Sequence, residues 1–152
     1  MSALLMPFPA LPPTAPDVLE KVIAAQDICL RREQVPIKTD HVIHAGMYAR
    51  TITMPPNVLL VGTLIKRPTT VITVGSAKIL VGQDWADVDG YQVLPGSAHR
   101  KQIFFSRGSF IVTMIFPTSA KTVEEAEKEF TDETELLLSR RQDLNTITIT
   151  GE

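Results

Sequence analysis

Short segments rich in β-branched and aromatic residues alternate with turn residues between positions 42 and 116, and this alternation most constrains the fold. Gly, Pro, Asn or Asp bounds the segments, as at Pro55-Pro56-Asn57, Gly75-Ser76, Asp89-Gly90 and Arg107-Gly108. Strands of this length and spacing predict an antiparallel sandwich or barrel rather than a parallel sheet with crossover helices. The candidate strands are residues 42–44, 48–54, 58–64, 70–74, 78–81, 91–94, 102–105 and 110–116.

A helix is predicted on each side of this β region. Residues 15–32 repeat apolar side chains at helical spacing, with Thr14 as the candidate N-cap. Thr122 and Glu125 form a second capping-box pattern before the acidic segment VEEAEKEF. We therefore expect a proline-rich apolar arm at 1–16, a helix and linker at 17–38, a β-barrel at 39–118, and an acidic helix with a terminal strand at 119–152.

Composition narrows the function classes. The chain has 152 residues, of which 44% are hydrophobic and 21% charged, which is typical of a globular protein with a normal core. Its formal net charge is −2, so we expect no direct nucleic-acid binding, which normally needs a basic face. No apolar run reaches the roughly 18 residues of a membrane span. Residues 1–16 lack the basic region of a secretory signal, so we expect no membrane partner and synthesis in a cytoplasm.

The two ends and one turn are candidate contact surfaces. The N-terminal arm is too apolar for a solvated linker, so we expect it to dock on a neighbouring subunit; the alternative is a disordered tail. The terminal NTITIT strand needs a partner, either in its own sheet or in a neighbour's. The tryptophan of QDWADVDG is either an interface anchor or a lid on the barrel edge. The candidate interface residues are Leu4, Leu5, Met6, Phe8, Leu11, Trp85, Ile147 and Ile149.

Several weak motifs follow one another in a specific order. They are a histidine in an upstream strand (His41 or His44), Gly46-x-Tyr48-x-Arg50, Met54-Pro55, Val61-Gly62, the segment 71–75, and Pro95-Gly96-x-x-His99-Arg100. In this order and spacing, residues 39–129 resemble the cupin superfamily, and more narrowly the small cupin-like proteins encoded by tailed bacteriophages. The resemblance implies an all-β core, namely a double-stranded β-helix (cupin or jelly-roll) barrel, here with flanking helices and extended terminal arms.

The chain departs from the cupin pattern at the metal ligands. Typical cupins bind a divalent metal through two histidines and a glutamate of a first motif and a histidine of a second. Here the first motif falls on residues 63–74, which contain no His, Asp, Glu or Cys, and Ile65 with Thr69 or Thr70 stands at its histidine positions. Only His99 resembles a ligand position, and one imidazole does not hold a metal tightly. We therefore expect no metal and no other cofactor.

Four residues are candidates for a pocket: Tyr48, Arg50, His99 and Arg100. Arg50 and Arg100 would recognise an anion, since a guanidinium binds a carboxylate or phosphate through two parallel hydrogen bonds. The alternative is that both arginines pair with groups on neighbouring strands. No serine or cysteine stands in a pattern with a base and an orienting carboxylate, so we expect no catalytic residues and a protein that is not an enzyme.

Three functional hypotheses follow, the first of them from the resemblance. The first is a non-enzymatic phage structural protein, a jelly-roll subunit that forms a homo-oligomer and docks on other phage structural proteins through its terminal arms. It would act in capsid decoration or cement, or in the neck or tail, and would be found in the virion or the host cytoplasm. The second is a small-anion-binding module, such as an anti-defence protein, that uses Arg50 and Arg100. The third is a metal-independent enzyme.

Overall fold

The structure, a computed structural model, describes residues 10–152. A long helix precedes the β region and two short ones follow it. The helices are α1 (Pro16–Leu30), α2 (Val123–Phe130) and α3 (Leu138–Arg141), with a 3₁₀ turn at Thr134–Leu136 before α3. The strands are β1 (Lys38–His44), β2 (Met47–Met54), β3 (Leu59–Val61), β4 (Thr69–Val81), β5 (Asp84–Val88), β6 (Tyr91–Gly96), β7 (Ile103–Pro117) and β8 (Asn145–Ile149).

Two long strands organise the barrel. The strand order is β5-β4-β7-β2-β1-β8, with β6 also paired to β4 and β3 also paired to β7. β7 pairs with β2 through its second half, at 110–117, and with β3 through its first, at 103–105. Each long strand therefore pairs with different neighbours along its two halves, β7 with β3 and β2 and β4 with β5 and β6. This is the arrangement of a cupin-like jelly roll. The predicted all-β barrel with N- and C-terminal helices is confirmed.

Alternating side chains fill the barrel because strand residues point to opposite faces in turn. In β4 the inward positions Val71, Thr73, Ala77 and Ile79 are buried, whereas their neighbours are more exposed. A second apolar cluster, around Tyr48, Phe116 and Phe130, joins the barrel to α2. The outer helix α1 packs through Val18 and Val22 against Ile103 of β7.

The strand boundaries differ from the prediction at three places. β4 and β7 are each continuous where the sequence predicted two strands and a turn. Gly75 has a φ of +114° and marks a register shift between Gly75 and Ala77, so β4 bends at a bulge instead of ending. The segment around Trp85, which none of the predicted strands covers, is strand β5 and pairs with β4.

The described part of the N-terminal arm lies on its own barrel, which corrects the prediction for Leu11. The Leu11 side chain is 0% exposed, and its backbone exchanges hydrogen bonds with Pro95 and Ser97 at 2.9 Å each. Thr14 is not the helix cap; Ala15 is the N-cap, and the Thr14 hydroxyl accepts from the Lys101 amide at 2.8 Å. Leu11 is therefore a core residue rather than an interface residue. The predicted interface residues Leu4, Leu5, Met6 and Phe8 lie outside the described residues.

The C-terminal strand completes the sheet of its own chain. β8 runs parallel to β1, with Ile147 opposite His41 and Ile149 opposite Ile43. Ile147 and Ile149 stay about half exposed on this edge strand, so their role as an interface remains a prediction. The Thr122 cap of α2 is confirmed, since its hydroxyl accepts from the Glu125 amide. Among residues 10–152, no helix is both long and apolar enough to cross a membrane.

Candidate functional site

A cavity of about 120 Å³ opens inside the barrel. Its walls come from β2, β3, β4 and β7, and the C-terminal segment covers it through Phe130 and residues 136–138. Both candidate arginines line the cavity, Arg50 from β2 and Arg100 from the segment between β6 and β7. The remaining polar lining comes from Thr63 and Gln102, and the apolar lining includes Ile52, Leu60, Val71, Phe104, Val112 and Met114.

Arg100 is a buried guanidinium with few partners. The residue is 1% exposed. One terminal nitrogen of its guanidinium donates to the Ser97 carbonyl at 2.7 Å, and the other donates to the Thr69 hydroxyl at 2.6 Å. Its Nε is buried without a hydrogen-bond partner within residues 10–152. A guanidinium carries five N–H donors, so most of its hydrogen-bonding capacity is unused.

Arg100 also has no counter-ion in the described part of the chain. None of the salt bridges among residues 10–152 includes it. Burial lowers the pKa of the Arg100 guanidinium to about 10, so the group is still charged at neutral pH. A buried charge without an opposite charge is costly, by several kcal/mol in effective terms. The site therefore holds an uncompensated positive charge.

Gly96 makes room for the Arg100 side chain. Gly96 lies directly opposite Thr69 in the β4–β6 pair. A Cβ at position 96 would stand 2.6 Å from Cζ of Arg100, which is closer than carbon atoms can approach. The guanidinium therefore lies against the bare backbone of β6, and a side chain at position 96 would displace it from this place.

Arg50 differs from Arg100 because it has a carboxylate partner. It donates to Glu127 at 3.0 Å and to Ser139 at 3.0 Å. Arg140 also pairs with Glu127, at 2.9 Å. Burial pushes the pKa of Glu127 up, but hydrogen bonds from Ser139 and Arg140 and the charge of Arg50 outweigh this, so its pKa lies below the ordinary value. For Arg50, the alternative of an ion-pair partner is the one that the geometry supports.

Tyr48 belongs to a hydrogen-bond chain behind the cavity rather than to its wall. Its hydroxyl lies 3.4 Å from Nη1 of Arg50 and 2.7 Å from Nδ1 of His41. Nε2 of His41 lies 2.8 Å from Oδ1, the side-chain amide oxygen of Asn145. Because that oxygen can only accept, Nε2 carries the proton of the neutral ring and the tyrosine hydroxyl donates to Nδ1. Burial lowers the pKa of His41 and raises that of Tyr48, which favours this uncharged arrangement.

The prediction that His99 belongs to the pocket is wrong. His99 is exposed, has a φ of +59° and does not line the cavity. The left-handed turn at this residue directs the chain so that Arg100, the next residue, enters the interior. The sequence reasoning missed Thr69 and Gly96 as partners of Arg100 and Glu127 as the partner of Arg50. Only the Pro95-Gly96-x-x-His99-Arg100 motif signalled any part of this arrangement.

The residues at the expected metal position do not fit a divalent cation. Ile65 pairs with Arg100 through the backbone, at 2.8 and 3.2 Å, and Thr69 accepts from its guanidinium. These two positions therefore supply a hydrocarbon and a hydroxyl next to a cation, and His99, the third expected position, is exposed and outside the cavity. In the described ranges, no three His, Cys, Asp or Glu side chains are placed to hold a metal.

In comparisons with known proteins, this chain is similar to solved structures only. No protein-family profile matches the sequence, and no curated protein does. Among solved structures, a cupin superfamily protein from Desulfitobacterium hafniense is 14% identical, with 59% of this chain and 84% of that chain covered and a TM-score of 0.47. KdgF from Halomonas sp. is 14% identical, over 56% and 84%, with a TM-score of 0.44. A cupin-2 domain from Rhodospirillum rubrum is 11% identical, over 72% and 84%, with a TM-score of 0.42.

Proposed function

We propose that this protein is a binding module for a small organic anion, which enters the barrel cavity and pairs with Arg100. One observation carries the proposal: a fully buried guanidinium lines the cavity with no carboxylate partner among residues 10–152. An anion in the cavity would supply the missing charge and accept hydrogen bonds from N–H groups that have no protein acceptor.

The surroundings of Arg100 support a ligand role over a structural one. A structural arginine in a barrel interior is normally paired, as Arg50 is with Glu127. Arg100 instead donates to one hydroxyl and one carbonyl oxygen, both uncharged, and its guanidinium lies against the backbone of Gly96. Thr69 and Ser97 fix the plane of the guanidinium, so it is oriented before a ligand arrives, which lowers the entropy cost of binding.

The proposal predicts anion binding that depends on Arg100. We expect acetate, benzoate, succinate or inorganic phosphate to bind the full chain in isothermal titration, compared with sodium chloride at equal ionic strength. Arg100→Met should weaken binding about tenfold to a hundredfold, because a charge-assisted hydrogen bond contributes about 1.5–3 kcal/mol. Arg100→Lys should bind with intermediate affinity, since an ammonium keeps the charge but cannot form two parallel hydrogen bonds with a carboxylate.

Arg107→Met is the matched control for this experiment. Arg107 is partly exposed on β7 and pairs with Asp87, outside the cavity, so its exchange should leave anion affinity unchanged. Arg100→Met should also fold at least as well as the wild type, because replacing an uncompensated buried charge by an apolar side chain is often stabilising. Absence of binding by all four anions, or equal binding by Arg100→Met, would overturn the proposal.

A second candidate function is that of a phage assembly subunit. An exposed apolar face favours one element of this hypothesis, the formation of a homo-oligomer. Val74, Tyr91 and Val93 project from neighbouring strands β4 and β6 on the outer surface, and Tyr91 is 67% exposed. Neither β6 nor residues 69–75 of β4 contain a charged residue. Contiguous apolar faces of this kind commonly mark protein interfaces, and an uncharged face can pack on a second copy of itself.

The assembly candidate predicts a closed oligomer in solution. We expect sedimentation or native mass measurement to give a dimer or larger ring, and Val93→Glu to reduce it to a monomer by placing a charge in the interface. Lys128→Glu, at an exposed position of α2 outside this face and outside the terminal arms, is the control and should leave the mass unchanged. A wild-type monomer at high concentration would exclude this candidate.

A further inference from the structure

We infer that the ligand is a compact 2-hydroxy monocarboxylic acid with a branched aliphatic body. This inference rests on the proposed function and adds the chemical class of the anion. Three properties of the cavity carry it: the number of unpaired charges, the position of its uncharged polar groups, and its volume.

The charge of the cavity limits the ligand to one anionic group. Of the two arginines that line the cavity, Arg100 has no carboxylate partner among residues 10–152, whereas Arg50 pairs with Glu127 at 3.0 Å, a carboxylate that it shares with Arg140 outside the lining. A dicarboxylate or a phosphate dianion would bring a second negative charge against the apolar walls of β2 and β7. That charge would lose its hydration without gaining a partner, which costs several kcal/mol.

The uncharged polar groups of the cavity lie along one edge. Arg100 pairs with Ile65 through the backbone, and the Gly62 amide donates to the Gln102 carbonyl, so residues 62–65 and 100–102 run antiparallel to each other. Thr63 and Gln102 are buried in this strip and line the cavity beside Arg100. Neither side chain has a hydrogen-bond partner in the described part of the chain. A hydroxyl next to the carboxylate would meet them, because an amide and a hydroxyl can both donate and accept.

The opposite walls of the cavity are apolar, and they set the size of the ligand. Ile52, Val71, Val112 and Met114 line the cavity from β2, β4 and β7. The volume of about 120 Å³ is somewhat smaller than that of an apolar protein cavity of about 150 Å³ that takes benzene. A branched chain of three or four carbons beyond the hydroxyl-bearing carbon fills such a space, whereas a sugar would leave most of its hydroxyls unpaired.

The test is a titration of the full-length protein with a graded series of acids. We expect 2-hydroxyisovalerate to bind best and isovalerate about threefold to tenfold more weakly, which is the contribution of one neutral hydrogen bond. Succinate and inorganic phosphate should bind at least tenfold more weakly than isovalerate. Benzilate, a 2-hydroxy acid with two phenyl rings, should not bind because it exceeds the cavity. Gln102→Leu should remove the difference between 2-hydroxyisovalerate and isovalerate.

The outcomes separate this inference from the function on which it rests. Equal or better binding of succinate or phosphate that is still lost in Arg100→Met would overturn the monocarboxylate class and leave the anion-binding function standing. Equal binding of isovalerate and 2-hydroxyisovalerate by the wild type would overturn the hydroxyl. Absence of binding by the whole series, together with acetate and benzoate, would overturn the proposed function itself. Thr118→Val, remote from the cavity, is the control for a general effect of losing a polar side chain.

Discussion

Replacing Arg50 by methionine is expected to lower the free energy of unfolding by about 3 kcal/mol, because it removes one of the two cations that pair with the buried carboxylate of Glu127. Glu127 is 1% exposed and would retain only Ser139 and the partly exposed Arg140. The exchange also removes the donor that lies 3.4 Å from the Tyr48 hydroxyl. Urea unfolding followed by circular dichroism measures the change, and Arg107→Met, an exchange at a partly exposed position, should cost less than about 1 kcal/mol.

A double-mutant cycle separates the charge effect from lost packing. In Arg50→Met combined with Glu127→Gln, no buried carboxylate remains, so the double variant should be more stable than the sum of the two single changes predicts. The expected coupling is about 2 kcal/mol, within the range for residues in direct contact. A coupling near zero would show that the Arg50–Glu127 pair does not hold the C-terminal segment over the cavity. The contrast with Arg100→Met, which should not destabilise the fold, distinguishes the paired arginine from the unpaired one.

Gly75→Ala is expected to destabilise the barrel by about 3–5 kcal/mol. Gly75 has a φ of +114°, which side-chain-bearing residues rarely adopt, at a cost of about 1–3 kcal/mol. A Cβ there would also overlap the carbonyl oxygen of Ser109 and stand 3.2 Å from Cα of Phe110, both backbone atoms of β7 that cannot rotate away. Steric overpacking of this kind adds about 1–3 kcal/mol. Thermal and urea unfolding of the purified variant measure the effect.

Gly82→Ala is the matched control for the bulge. Gly82 also has a positive φ, of +62°, but a Cβ there would meet no atom within 4 Å. It should cost only about 1–2 kcal/mol, the penalty of the left-handed conformation alone. If the two variants are equally stable, close packing of β7 against Gly75 is not what lets β4 run as a single bent strand.

Local patterns were sufficient to predict most of the barrel. Alternating burial along β2 and the second half of β7 follows directly from their alternating side chains, and the cap at Thr122 follows from its spacing to Glu125. The same patterns failed at Gly75 and at the Arg107-Gly108 pair, where a glycine indicates either a turn or a bulge. Which of the two forms depends on whether a neighbouring strand continues to pair across it, and that neighbour is distant in sequence.

In the candidate site, too, local patterns identified residues but not the partners that the fold brings to them. Sequence motifs selected both Arg50 and Arg100 as anion-binding candidates but could not rank them, because their partners lie far away along the chain. Glu127 is 77 residues from Arg50, and Thr69 is 31 residues from Arg100. The charge state of a buried arginine is decided by what the fold brings to it. Only the structure distinguishes the paired Arg50 from the unpaired Arg100.

The sequence by itself determined the class of this fold, the absence of His, Asp, Glu and Cys from residues 63–74, and the choice of Arg50 and Arg100 as candidate residues. These follow from side-chain periodicity and residue type, which are local properties. The tertiary structure alone decided that Leu11 packs in its own barrel, that β8 joins its own sheet, and that Arg100 rather than His99 enters the cavity. Each of these depends on contacts between segments far apart in the chain, and burial and charge pairing arise only when such contacts form.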